Sequence, residues 1–282
     1  MKLLVDIGNS RVKWAFGTAG HFVAQGQALR DDGAGLRPLL ESARVPDDIR
    51  IANVAGTEAG ARIAASLEER FGVAPVFACS AATGAGVRNG YTDSGQLGID
   101  RWLAICAAFA RYRAPVCVVD AGTATTIDMV AGSGEHQGGL ILPGIALMQL
   151  ALLRGTGDLA RLFEATDGRV AGELPDGIAP NRAAHPILLG RDTAAAIRYG
   201  ALQATASLIW TCMDRFSASS SLATTPSALL ITGGAAPAVQ AALLWTDRAP
   251  GAGPPPGFRI EYRPELVLEG LALDPLCFGV VG

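Results

Sequence analysis

The chain has 282 residues, 50% hydrophobic and 17% charged, which is enough apolar material for one large buried core or two modest ones. With 23 basic and 26 acidic residues, a formal net charge of -3 and no long run of either sign, it lacks a footprint for a polyanion, so direct nucleic-acid binding is not expected. No apolar run reaches about 18 residues, and MKLLVDIGNS meets Asp6 too early for a signal peptide, so a cytoplasmic chain without membrane contact is expected.

Along the chain, Leu3-Leu4-Val5-Asp6-Ile7-Gly8-Asn9-Ser10 followed by the apolar stretch 12–16 reads strand, tight turn, strand. The run before Asp6 is continuous rather than alternating, as in a strand buried on both faces, and the glycine permits a sharp turn. Residues 49–54 and 74–79 read as strands flanking a helix over 59–71, a βαβ unit. Gly98-Ile99-Asp100-Arg101-Trp102 precedes a helix over 103–112. Cys117-Val118-Val119-Asp120-Ala121-Gly122-Thr123-Ala124, with 126–130 behind it, then repeats the opening pattern 114 residues on. The repeat predicts two related α/β halves, 1–114 and 115–282, divided near Arg113-Ala114-Pro115. Residues 138–144 read as a strand ending in a turn, and 145–153 resume at helical spacing. A long helix spans 193–216, and a strand over 227–232 runs into Gly233-Gly234 with a helix over 238–245 behind it. The four prolines and three glycines of 249–257 read as a surface loop, while 155–186 carry no readable pattern.

The chemistry concentrates at the repeated turns. A carboxylate at the end of a buried strand, followed by a small-residue turn, can stand beside a metal while turn N–H groups face phosphate oxygens. One Asp-x-Gly is ordinary turn chemistry; two copies opening two similar halves suit a clamp on a triphosphate. Lys13 is then either a phosphate contact or a solvated strand residue. Asp100-Arg101 reads as a helix start with a surface arginine, or as an acceptor site in which Asp100 takes a hydroxyl proton and Arg101 binds an anion. Tyr91 is either a pocket wall or a partly exposed aromatic, Thr193 reads as a helix-start residue after Asp192, and Gly233-Gly234 as a plain turn or a passage beside a flat ring. The five cysteines are scattered singly and read as buried thiols; His21, His136 and His185 have no metal-ligand spacing and none looks catalytic. The P-loop, dinucleotide-binding and nucleophile-elbow patterns are absent.

Taken in order, these motifs resemble the type III pantothenate kinases, of the acetate kinase, sugar kinase, heat-shock chaperone and actin superfamily. Asp6 to Ser10 look like the family's first phosphate motif, Gly98 to Arg101 its pantothenate motif, Asp120 to Thr125 its second phosphate motif, and 138–144 its Gly-Gly-x-Ile-x-Pro-Gly segment. The resemblance implies two actin-like, ribonuclease H-like domains, each opening with a phosphate-binding hairpin, and phosphorylation of pantothenate by ATP in coenzyme A biosynthesis. It implies ATP contacts by Asp6, Ile7, Gly8, Asn9, Ser10, Arg11, Val12, Lys13 and Thr123, with Asp6 near Mg2+ and Asp120 at a monovalent cation, K+ or NH4+. Asp100 matches the proton acceptor, and Tyr91, Gly98, Ile99, Asp100, Arg101 and Thr193 match the pantothenate contacts. The family is dimeric. Ser10 stands where many members carry threonine, which keeps the hydroxyl. Two rival readings remain: a kinase of the same superfamily acting on another small acceptor, and a non-catalytic accessory factor for transcription.

Overall fold

The computed structural model describes residues 1–18, 20–30, 32, 35–155, 189–219, 227–245, 258–273 and 278–281. In chain order the strands are β1 (Lys2–Ile7), β2 (Arg11–Thr18), β3 (His21–Leu29), β4 (Asp48–Asn53), β5 (Val76–Cys79), β6 (Thr83–Gly84), β7 (Val87–Arg88), β8 (Val116–Ala121), β9 (Ala124–Val130), β10 (His136–Pro143), β11 (Ala228–Thr232), β12 (Arg259–Tyr262) and β13 (Gly279–Val281). The helices are α1 (Arg37–Leu40), α2 (Thr57–Phe71), α3 (Ile99–Tyr112), α4 (Ile145–Gly155), α5 (Thr193–Ser219), α6 (Ala236–Trp245) and α7 (Leu266–Ala272).

Two compact units result: Met1–Ala114 with Ser133–Gly138 and Glu265–Gly282, and Pro115–Gly132 with Gly139–Pro264. They differ from the contiguous ranges 1–114 and 115–282 because the end of the chain packs with its beginning. The buried Arg50 pairs with Asp48 at 2.8 Å and donates to the carbonyls of Leu271 (2.8 Å) and Leu273 (3.1 Å). Strand β13 pairs antiparallel with β5.

In the first unit the sheet order is β13-β5-β4-β1-β2-β3. Strand β1 lies between antiparallel β2 and parallel β4, so Leu3, Leu4, Val5 and Ile7 are all buried, as the continuous apolar run predicts. Leu3, Val5 and Ile7 join Val12, Trp14, Phe16, Ile49, Ile51 and the α2 residues Ile63, Leu67 and Phe71 in one core. Each such side chain contributes about 1.5–3 kcal/mol on burial, so the hairpin holds without its turn side chains. Asn9, Ser10 and Arg11 are accordingly exposed.

The second unit has the order β10-β9-β8-β11-β12. Strand β8 again lies between an antiparallel hairpin partner, β9, and a parallel strand, β11. Read from the other edge, β12-β11-β8-β9-β10 matches β5-β4-β1-β2-β3 position for position, with α2 and α6 as equivalent crossovers, so the sequence repeat is a repeat of structure. Its core gathers Val119 and Ile127 from the hairpin with Leu202, Ile209 and Met213 of α5 and Val239 and Leu243 of α6. No helix among the described residues is long and apolar enough to cross a membrane.

Some boundaries differ from expectation. Helix α3 begins at Ile99 rather than 103, which puts Asp100 and Arg101 inside its first turn. Strands β3, β12 and β13 and helix α7 were not expected. The readings for most of 155–186, for the loop 249–257, and for His185 and Cys277 lie outside the described residues.

Candidate active site

In the first unit, the β1–β2 register sets Asp6 opposite Lys13 and Ile7 opposite Val12. Ile7 and Val12 are buried and anchor the hairpin end, while Asp6 and Lys13 are half-buried. The Gly8 amide donates to the Arg11 carbonyl at 2.9 Å, closing the turn, and the Arg30 amide donates to the Ser10 carbonyl at 3.0 Å. Arg11 Nη1 donates to Gln27 Oε1 at 3.2 Å. A carboxylate and an ammonium thus flank a braced turn with exposed polar side chains, an arrangement suited to a metal-bound polyphosphate.

The second chemical cluster of this unit starts at α3. Gly98 occupies the N-cap position, where its carbonyl accepts the Trp102 amide at 2.9 Å. Asp100 is half-buried, and its Oδ1 accepts the Arg101 amide at 2.8 Å, a favourable place for an acid at a helix N-terminus. Arg101 is 7% exposed rather than the surface arginine that a helix start suggests. Nη1 of its guanidinium donates to the Tyr91 hydroxyl at 2.8 Å, and Cζ lies 5.6 Å from the centre of the Tyr91 ring. The Tyr91 amide in turn donates to Asn89 Oδ1 at 3.0 Å, and Asn89 Nδ2 donates to the carbonyls of Ala81 (3.1 Å) and Ser94 (3.3 Å). Of the expected site residues, the structure therefore brings Tyr91 and Arg101 into direct contact and sets Asp100 beside them in sequence.

In the second unit, Asp120 is the penultimate residue of β8, as Asp6 is of β1, and pairs in register with Thr126 on β9 and Thr232 on β11. The turn between β8 and β9 is closed by the Gly122 amide on the Ala124 carbonyl at 3.0 Å, and Thr123 is exposed on it. Two glycines press against this turn. The Gly144 amide donates to the Thr123 carbonyl at 3.1 Å, and a Cβ at 144 would lie 2.5 Å from that oxygen. Gly233 has φ +91, and a Cβ there would overlap Asp120 Oδ1 and sit 2.5 Å from the Ala121 carbonyl oxygen. Carboxylate and carbonyl oxygens in a cradle that only glycine can line are the donor type that a hard cation takes, so the residues fit the expected cation at Asp120. Among the described residues no group of three or more His, Cys, Asp or Glu could hold a metal by itself. That is compatible with a divalent ion carried largely by substrate phosphates.

Thr193 is exposed in the first turn of α5, where Asp192 Oδ1 accepts the Ala195 amide at 2.8 Å, so the helix-start reading holds. Sequence reasoning missed His136, which is 2% exposed and stacks on Tyr91. Nothing local links positions 91 and 136, so no periodicity or motif could have found the pair. The bracing role of Gly144 was equally hidden, although its Pro-Gly context marks a turn.

The type III pantothenate kinase family model matches residues 2–215. A type III pantothenate kinase of Nitrosococcus oceani is 34% identical over 281 residues, covering 96% of this chain and 92% of that protein. Those of Aromatoleum aromaticum (35%, 97% of both) and Burkholderia mallei (38%, 86% of this chain and 91% of that one) are similarly close. Among solved structures, a Campylobacter jejuni protein described as a Baf family transcriptional activator aligns with TM-score 0.51 at 20% identity, over 95% of this chain and 94% of that one. The activator of 2-hydroxyisocaproyl-CoA dehydratase from Clostridium difficile, with bound ADPNP, aligns with TM-score 0.50 at 9% identity, over 96% and 92%. These two likenesses bear on fold alone, which is α/β with two actin-like units.

Proposed function

The chain belongs to the type III pantothenate kinase family and phosphorylates pantothenate with ATP in coenzyme A biosynthesis, and we propose that the residues described above share out that reaction as follows. ATP and a divalent metal are its cofactors. We assign the metal as Mg2+, with Asp6 beside it and the stretch Asp6, Ile7, Gly8, Asn9, Ser10, Arg11, Val12 and Lys13 against the nucleotide. The ion's chemistry is to neutralise charge on the phosphate oxygens. Lys13, opposite Asp6 in the hairpin, adds a second positive charge. In the other unit Thr123 contacts the phosphates, and Asp120 holds K+ or NH4+, which removes the repulsion between its carboxylate and the polyphosphate.

Asp100 accepts the proton of the acceptor hydroxyl. A carboxylate is too weak a base to strip an alcohol outright, so it orients the hydroxyl and takes the proton as the O–P bond forms. Its Oδ1 bond to the Arg101 amide fixes the carboxylate for that purpose. Arg101, held on the Tyr91 hydroxyl, receives the pantothenate carboxylate, and Gly98, Ile99 and Thr193 complete the contacts. The protein is a cytoplasmic homodimer that does not bind nucleic acid directly.

The observation that carries the residue assignment is the first turn of α3, where a fixed carboxylate and a buried guanidinium occupy adjacent positions beside a tyrosine hydroxyl. The test is turnover with ATP and pantothenate, in wild type and in Asp100→Asn. The amide keeps the size and cannot accept the proton, so turnover should fall by about two to four orders of magnitude with unchanged melting temperature. An Asp100→Asn enzyme within a few-fold of wild type removes Asp100 from the mechanism. A wild-type enzyme that phosphorylates a different acceptor in a panel, and not pantothenate, restores the rival kinase reading.

A further inference from the structure

We infer that His136 is a positioning residue for the acceptor site, holding the Tyr91 ring and through it the Arg101 guanidinium; this rests on the assignment of Tyr91 and Arg101 to pantothenate. The imidazole and the Tyr91 ring are nearly parallel, 13° apart, with centroids separated by 6.0 Å, inside the range of attractive aromatic pairs. His136 is 2% exposed, so the imidazole face is a fixed part of the fold. The two segments are locked at the backbone as well. The Gly90 amide donates to His136 Nδ1 at 3.4 Å, and Gly90 lies so close to the His136 carbonyl that a Cβ there would overlap the oxygen.

Asn89 braces the same loop, its Oδ1 accepting the Tyr91 amide and its Nδ2 donating to the carbonyls of Ala81 and Ser94. With the main chain pinned at 89 and 90, the remaining freedom at Tyr91 is rotation of its side chain, and the stack on His136 restrains that rotation. The consequence reaches the substrate through one further bond, from Arg101 Nη1 to the Tyr91 hydroxyl at 2.8 Å. An arginine side chain is long and has many rotamers, and a rigid second partner presents its planar fork in one orientation, as bidentate carboxylate binding requires. His136 touches neither the acceptor nor ATP in this scheme, so its removal loosens carboxylate binding and spares the transfer step.

Steady-state kinetics of His136→Leu and His136→Phe in the full chain test this, because both lose the long Nδ1 bond from the Gly90 amide, while phenylalanine keeps the flat ring and leucine removes it. Leucine should raise KM for pantothenate about three- to tenfold, the range of a lost aromatic pair, with kcat and KM for ATP within about twofold of wild type. Phenylalanine should restore KM to within about twofold. The contact is read without substrate by NMR of ring-labelled tyrosine, four residues in all, with the Tyr91 signal assigned from Tyr91→Phe. That signal should move in the leucine variant and stay near its wild-type position in the phenylalanine variant. An unchanged KM for pantothenate in the leucine variant overturns the inference. So does a phenylalanine variant as impaired as leucine, or a common loss in kcat and both KM values. If wild type does not turn over pantothenate, the acceptor assignment falls. The Tyr91 signal then decides the His136 contact alone: movement with leucine only supports it, and no movement overturns it.

Discussion

The Gly144 amide donates to the Thr123 carbonyl across 3.1 Å, and the same oxygen leaves no room for a methyl group at position 144. The β8–β9 turn is thus braced from just ahead of α4 by an approach that only glycine permits. Gly144→Ala must displace Gly122 and Thr123, because their carbonyl oxygens are backbone atoms that cannot swing aside. Overpacking of this kind costs about 1–3 kcal/mol. Where that strain is taken up by the turn, KM for ATP should rise roughly five- to 150-fold, as that free energy implies, with KM for pantothenate little changed. Equal ATP kinetics in the variant and wild type would show that the turn tolerates the shift.

Asp120 sits against Gly233, with its carboxylate packed at the wall that a Cβ would fill. A carboxylate about 4 Å from a phosphate charge would be repelled by about 4 kcal/mol at an effective dielectric constant near 20. A monovalent cation between them converts this repulsion into attraction. Activity should therefore require K+ or NH4+, and Asp120→Ala should abolish that requirement together with most ATP affinity. Equal rates in sodium and potassium buffers, or unchanged nucleotide binding in Asp120→Ala, would remove the cation from this position.

Both hairpins were legible in the sequence because burial on two faces demands unbroken apolar runs, and the repeated Asp-x-Gly marks where each run must turn. Strand β3 was not, since it is an edge strand whose exposed positions hold the apolar Val23 and Leu29 beside His21, Gln25 and Gln27, which blurs the alternation. The return of α7 to the first unit was also hidden: its leucines are buried, Gly270 packs against Leu103 of α3, and Arg50 reaches the carbonyls of Leu271 and Leu273, contacts with no local pattern. At the candidate site, residue types and order singled out Asp100 and Arg101 as an acceptor site or a plain helix start. The burial of Arg101 and its hydroxyl partner emerge only when the loop carrying Tyr91 folds against α3.

Burial in the second core pushes the Cys117 thiol well above its ordinary range, and the nearby Cys212 and Asp128 add to the effect. The folded state therefore keeps the proton at a pH where the unfolded thiol, ionising near about 8.5, has released it. A raised folded value stabilises below the unfolded one, and that stabilisation is lost as pH rises. Stability should decline from about pH 8.5 upward, and Cys117→Val should flatten the decline by up to about 1.4 kcal/mol per pH unit. Thermal unfolding between pH 8 and 10 compares the two slopes, and parallel curves would rule out Cys117 as their source.

Arg101 bears most directly on the identity of the acceptor. Pantothenate carries one carboxylate at the end remote from the hydroxyl that is phosphorylated, so a site that holds both ends needs a cation and a base set apart. Adjacent side chains in the first turn of α3 diverge, which lets Asp100 and Arg101 serve the two ends of one extended molecule. Nη1 of the guanidinium donates to the Tyr91 hydroxyl, and that bond sets the orientation of the planar fork that a carboxylate meets. Lysine cannot reproduce that geometry. Arg101→Lys and Arg101→Ala should chiefly raise KM for pantothenate, by about 1.5–3 kcal/mol for a lost charged hydrogen-bonding partner, and leave ATP binding nearly unchanged. Pantetheine, in which a neutral amide replaces the carboxylate, should be a poor substrate for wild type and should lose little more in Arg101→Ala. Should wild type use pantetheine as well as pantothenate, or should Arg101→Ala weaken ATP and spare pantothenate, the carboxylate role would pass to another residue. Arg101 would then be a packing residue that anchors the Tyr91 loop on α3, and its variants would show their effect in thermal stability instead.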